Sequence, residues 1–188
     1  MLETIALPKL PPTPAPLIEK ANNLYAYLTY GNGQLGDQLE AVYRLIDEFN
    51  AFLAPFMSCK KGCSHCCHID VQITTLEAEL IQVRQGIPAH QSPQFTHGHH
   101  DPCPFLTPYG SCGIYESRPL ICRMYQVVGE PEHCKDGYNQ LTYVNAEMGH
   151  FGNAHFANLM RWLIHVVESN PGCRLADIRD FFTVGKHP

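Results

Sequence analysis

A mainly α-helical small single domain, with an irregular, loop-rich, metal-organised cysteine centre, is the fold class this sequence predicts. Three observations predict it. Apolar residues recur at helical spacing in two long segments. Eight of the nine cysteines crowd between Cys59 and Cys134. The stretch 87–112 carries five prolines and no periodicity, and a loop that long in a small domain needs an internal organiser.

The clearest helix is the segment Leu35, Leu39, Val42, Ile46, Phe49 and Leu53, whose apolar steps alternate between four and three. That is one face of an amphipathic helix, ended by Pro55. Residues 1–17 contain Pro8, Pro11, Pro12, Pro14 and Pro16 and read as an extended arm, leaving 18–188 as the domain. Asn22–Tyr30 carries three tyrosines and runs into the turn-prone Gly31-Asn32-Gly33. Ile69, Val71 and Ile73 alternate with polar residues, as in a short extended run. Thr74 followed by Glu77 is a capping box opening a helix through about Arg84, with Gly86 as its C-terminal cap. Past Gln140 the pattern turns helical again through Phe151, His155, Phe156, Leu159, Leu163, Val166 and Val167. Asn170-Pro171-Gly172 stops it, and Leu175, Ile178, Phe181 and Phe182 suggest a last short helix.

Composition narrows the function. The chain is 45% hydrophobic and 16% charged, which is the balance of a globular protein and not of a disordered one. A net charge of -5 with no basic stripe argues against nucleic acid as a partner. No apolar run approaches a bilayer span, so no membrane is expected. No basic segment leading into an apolar one opens the chain, so a cytoplasmic location is expected. In a reducing compartment, clustered cysteines point to metal ligands or catalytic thiols more than to disulfides.

The first cluster reads Cys59-Lys-Lys-Gly-Cys63-Ser-His-Cys66-Cys67-His68. Two intervening residues let successive thiolates turn onto one ion. Gly62 frees the backbone at the bend, and Lys60 and Lys61 favour thiolates. Neighbouring side chains diverge, so Cys66 and Cys67 are an awkward pair for one mononuclear ion. The second cluster comprises Cys103, Cys112 and Cys122, with Cys134 beyond it. Eight such cysteines fill either two four-thiolate sites or one four-iron cluster with spares. The cofactor expected is therefore zinc or iron, an iron–sulfur cluster included. Cys173 stands apart and reads as a buried apolar residue.

Cys63-x-x-Cys66-Cys67, Cys103-Pro-Phe-Leu and Cys112-Gly-Ile-Tyr-Glu-x-Arg118-Pro119-x-x-Cys122-Arg123 together carry a family resemblance. The sequence resembles the YkgJ-type CxxCxxCC family over roughly residues 59–125. The resemblance implies a zinc- or iron-chelating domain with Cys63, Cys66, Cys67, Cys103, Cys112 and Cys122 as metal ligands. Cys59, three residues before Cys63 instead of two, departs from the spacing, and Cys134 is a looser assignment. A related motif in flagellin lysine methylases implies that the module can sit within an enzyme. Arg118 and Arg123 either donate to a thiolate site or anion, or form a structural ion pair with Glu116 or another carboxylate. Tyr115 and Tyr125 read as packing around the site.

Other signals carry less. Cys59-x3-Cys63-x2-Cys66 has the spacing of a radical SAM loop, but the strand–helix alternation of that barrel is missing. His97-Gly-His99-His100 offers imidazoles suited to zinc, copper or nickel, in the Pro- and Gly-rich context of a solvated loop. Glu147-x-x-His150 is half of a di-iron pattern whose complement is missing. Two classes of function remain open. One is a binding, structural or metal-handling module, whose partners are the metal ion and a partner protein. The other is an enzyme or redox protein with an open iron or iron–sulfur centre.

Overall fold

A computed structural model describes residues 11–91, 93–126 and 154–183. Among these residues the fold is mainly helical. Its elements are α1 (Ala15–Tyr30), α2 (Leu35–Leu53), β1 (Gln72–Thr74), α3 (Thr75–Gln85), α4 (Leu120–Met124), α5 (Ala154–Ser169), β2 (Leu175–Asp177) and α6 (Ile178–Phe181). No described helix is long and apolar enough to cross a membrane.

Helix α2 follows the apolar spacing residue by residue. Leu39, Val42, Ile46, Phe49 and Leu53 are fully buried, each worth roughly 1.5–3 kcal/mol on removal from water. A short 3-10 turn, Ala54–Phe56, absorbs Pro55 where the helix ends. Helix α1 packs on α2 through Leu17 and Ala21. Ala15–Leu17, expected to belong to the extended arm, instead forms the first turn of α1. The reason is positional: Pro16 lies where a helix has no intrahelical use for an N–H, so the proline costs nothing there.

The capping box holds as expected. Thr74 Oγ1 accepts from the Glu77 N–H at 3.2 Å, and Glu77 Oε2 accepts from the Thr74 N–H at 2.8 Å. Gly86 closes α3 in the left-handed region at φ 68°.

The carboxy-terminal expectation needs correction. Leu175–Asp177 is a strand, and the helix begins only at Ile178. β2 runs antiparallel to β1 with Gln72 opposite Asp177, Ile73 opposite Ala176 and Thr74 opposite Leu175. Pairing with β1 supplies what three residues lack alone. Asp177 fixes the junction: its Oδ2 accepts from the Val71 N–H at 2.7 Å, and its side chain caps α6.

Two buried clusters result. One gathers α1, α2, α4 and α5 around Leu39, Ile46, Phe49, Leu120, Met124 and Leu159. The other joins β1, β2, α3 and α6 to the cysteine loops through Ile73, Ile81, Phe105, Ile114, Phe181 and Phe182. Phe105 and Phe182 meet edge to face with centroids 4.9 Å apart. Cys67 and Cys103 are buried members of this second cluster.

Candidate metal centre

The chain brings the thiols together by local turns. Gly62 takes φ 97°, a conformation closed to most L side chains, and the Cys63 N–H reaches back to Lys60 O at 3.0 Å. A 3-10 turn, His65–His68, then carries Cys66 and Cys67. The two clusters are stitched directly, since the Cys103 N–H donates to Cys67 O at 2.7 Å. From Cys103 the chain folds back on itself. The Gly113 N–H donates to Phe105 O at 2.8 Å, and Leu106 bridges Cys112, setting Cys112 beside Cys103. Pro119 starts α4, which delivers Cys122.

One cavity of about 50 Å³ is lined by Cys59, Cys63, Cys66, Cys67, Cys103, Cys112 and Cys122. Seven of the eight cysteines expected at the centre thus border a common space. Cys134 lies outside the described residues, as do Glu147 and His150. Cys173 does not line this cavity and is half-buried beside the start of α3. Cys66 and Cys67 both border the cavity. A 3-10 turn sets neighbours about 120° apart, so the space wraps around the turn to meet both.

Cys67 is the hub. The sulfurs of Cys103, Cys112 and Cys66 surround its thiol, and their closeness together with burial pushes it well up. The neighbouring Cys67 thiol in turn pulls Cys112 down to about 7 against desolvation, and it lowers Cys66 and Cys103 as well. Cys122 is pushed well up by burial and by the charges of Cys66, Cys103 and Cys112. Four sulfurs gathered this closely mark where a positive charge is wanted. A metal cation meets the same demand and reverses the sign for Cys67 and Cys122, because coordination deprotonates thiols.

The arginines divide the roles foreseen for them. Arg118 lines the cavity, stacks on the Tyr115 ring at 3.7 Å and donates from Nε to Tyr115 O. Its charge favours the thiolates of Cys66 and Cys112. Arg123 is buried and structural. Its Nη1 pairs with Asp47 at 2.5 Å, Nε donates to Arg118 O, and Nη2 donates to the backbone oxygen of Glu116. Glu116 itself pairs with Lys61 on the surface. Tyr115 and Tyr125 both line the cavity, as packing residues should.

Sequence reasoning missed Glu77 as a builder of the site. It was visible as a capping residue, yet its Oε1 also accepts from the Leu120 N–H at 2.7 Å and from Tyr43 Oη at 3.1 Å. It thereby fixes the start of the helix that carries Cys122.

No curated protein and no solved structure matches the chain. A family model does match: CxxCxxCC, described as a "Putative zinc- or iron-chelating domain", over residues 58–149. That stretch begins one residue before the first cysteine of the cavity and takes in all the others that line it. Over residues 58–149 this chain is therefore similar to the CxxCxxCC family.

Proposed function

We propose that the protein chelates zinc or iron through Cys59, Cys63, Cys66, Cys67, Cys103, Cys112 and Cys122, with Cys134 as a further donor. It acts as a binding, structural or metal-handling module in the cytoplasm, where thiols stay reduced. The observation that carries this reading is the convergence of seven cysteines on one cavity. Among the described residues lining it there is no carboxylate and no imidazole, so the donor set is soft. Soft thiolates select zinc and iron–sulfur clusters over magnesium, calcium or manganese.

A second reading has its own support. Seven thiols exceed the four that a mononuclear tetrahedral ion takes. The surplus suits a polynuclear centre, either two ions sharing thiolates or an iron–sulfur cluster, and such a centre serves redox or enzymatic chemistry.

Elemental analysis of protein purified without oxygen decides between them. Colourless protein with stoichiometric zinc supports the structural reading, and brown protein containing iron and acid-labile sulfide supports the second. Protein free of both metals, with fully reducible and reactive thiols, would overturn both. Cys66→Ser and Cys122→Ser should each lose metal, whereas Cys173→Ser should keep the full complement.

A further inference from the structure

The polar loop His97-Gly98-His99-His100 does not float in solvent throughout. His99 is mostly buried and faces two aspartates from distant parts of the chain. Its Nδ1 lies 2.8 Å from Asp70 Oδ1 and 3.8 Å from Asp177 Oδ1. The three ligand atoms all lie within 4.8 Å of one another.

The other side of the ring fixes where its proton sits. His99 Nε2 is 2.7 Å from Thr96 Oγ1, and Thr96 Oγ1 donates its single hydrogen to Asp180 Oδ1. Asp180 is an acceptor on both oxygens: its Oδ2 takes the Thr96 and Asp177 N–H groups at 3.0 and 3.1 Å. Having given its hydrogen to a carboxylate, the threonine can only accept from the imidazole, so Nε2 carries a proton. The neutral ring would then turn a bare Nδ1 lone pair onto the Asp70 carboxylate. Two acceptors at 2.8 Å require a positive charge between them, either a second ring proton, as in a His–Asp ion pair, or a metal cation.

We propose that this charge is a divalent cation, held by His99 Nδ1, Asp70 Oδ1 and, more weakly, Asp177 Oδ1. The site is distinct from the thiol cavity and takes a first-row metal that prefers nitrogen and oxygen donors, such as manganese or ferrous iron. Two ligands at right angles about 2.1 Å from an ion lie about 3.0 Å apart, close to the Asp70–His99 spacing. The chain Nε2–H to Thr96 to Asp180 is the outer support that orients a metal-binding histidine. Asp70 is likewise braced: its Oδ2 accepts from the Gly98 N–H at 2.6 Å, and Oδ1 accepts from the His99 N–H at 3.0 Å. Arg179 already donates to Asp177 Oδ1 through its backbone N–H and Nη1, both at 2.9 Å, which makes Asp177 the outermost ligand. Part-exposed Asp70 leaves the remaining coordination positions to water.

Manganese tests the idea because thiolates bind it poorly. Titrating Mn²⁺ into protein freed of loosely held zinc, so that only thiol-bound zinc remains, and following its electron paramagnetic resonance should show one bound ion per chain. His99→Gln and Asp70→Asn should each weaken that binding at least about tenfold, while thiol-bound zinc stays unchanged. Nitrogen-15 NMR on the wild-type chain gives a readout independent of any variant's folding. Added zinc should move the His99 Nδ1 resonance and leave Nε2 protonated. A His99 ring doubly protonated at neutral pH and indifferent to metal, or equal Mn²⁺ binding by His99→Gln, would overturn the proposal.

Discussion

Arg123 and Glu77 are buried, neither lines the thiol cavity, and each holds in place a segment that carries the site. Arg123 ties α2 to residues 116–118 by one carboxylate pair and two backbone carbonyls. Asp47 is half exposed, so the ion pair itself contributes little. The orphaned carbonyls of Glu116 and Arg118 dominate the cost of losing the guanidinium. Arg123→Met should therefore destabilise the metal-loaded protein by about 2–3 kcal/mol in urea unfolding, and Arg123→Lys by nearly as much. A loss below about 0.5 kcal/mol would show those carbonyls to be satisfied by water. Glu77 carries a pH signature. Desolvation raises its carboxyl above 4.5, against hydrogen bonds from Leu120, Thr74 and Tyr43. The folded chain therefore takes up this proton at a higher pH than the unfolded chain does. The contribution of Glu77 is full below pH 4.5 and declines as pH rises through the raised folded value. In the difference between wild type and Glu77→Gln, compared at equal metal content, contributions common to both proteins drop out. That difference should show this decline, on top of a loss of about 1–3 kcal/mol because an amide nitrogen would face the Thr74 donors. A flat difference curve would mean the carboxylate ionises in the fold without penalty.

At the scale of elements, the legible parts were those with a long period or a complete local signal. Helix α2 has five fully buried residues on one repeating stripe, and α3 has both caps written in Thr74, Glu77 and Gly86. Gly86 gives a clean test, because a Cβ there meets no atom within 4 Å and only the backbone conformation opposes it. Gly86→Ala should cost about 1 kcal/mol in thermal unfolding and leave metal content intact. Loss of metal would mean that the end of α3 supports the cavity. Other elements were hidden for physical reasons. Helix α4 is five residues long behind Pro119, too short to show a period. Strand β2 exists only through its partner a hundred residues away, so its apolar residues read as helix. Helix α1 begins inside a proline run, where counting prolines concealed that Pro16 stands at the one tolerant position. The thiol centre was legible because cysteine spacing is local chemistry. The Asp70–His99–Asp177 group was not, since no spacing in the sequence announces that residues 70, 99 and 177 meet.

At the scale of the whole molecule, the described residues form two cores, on which the proposed metal would bear to different degrees. The cluster around α1, α2 and α5 is aliphatic and aromatic and includes no cysteine among its buried residues. The second cluster counts Cys67 and Cys103 among its buried members, with Cys66, Cys112 and Cys122 packed against it. Under the proposed metal binding, loss of the cation would take a common anchor from its loops, since the binding energy of a structural metal is folding energy for what it holds. Helix α4 joins the two, giving Leu120 and Met124 to the first core and Ile121 and Cys122 to the second. Removal of the metal should thus act regionally. Amide exchange of the chelator-treated protein should quicken across 63–74, 103–118 and 175–182, where the backbone is tied to the cysteine loops or their strand pair. Helix α2 should keep most of its protection, and α4 should fall between the two. Equal quickening in α2 and in the cysteine loops would show a single cooperative unit, with the first core unable to stand without the second.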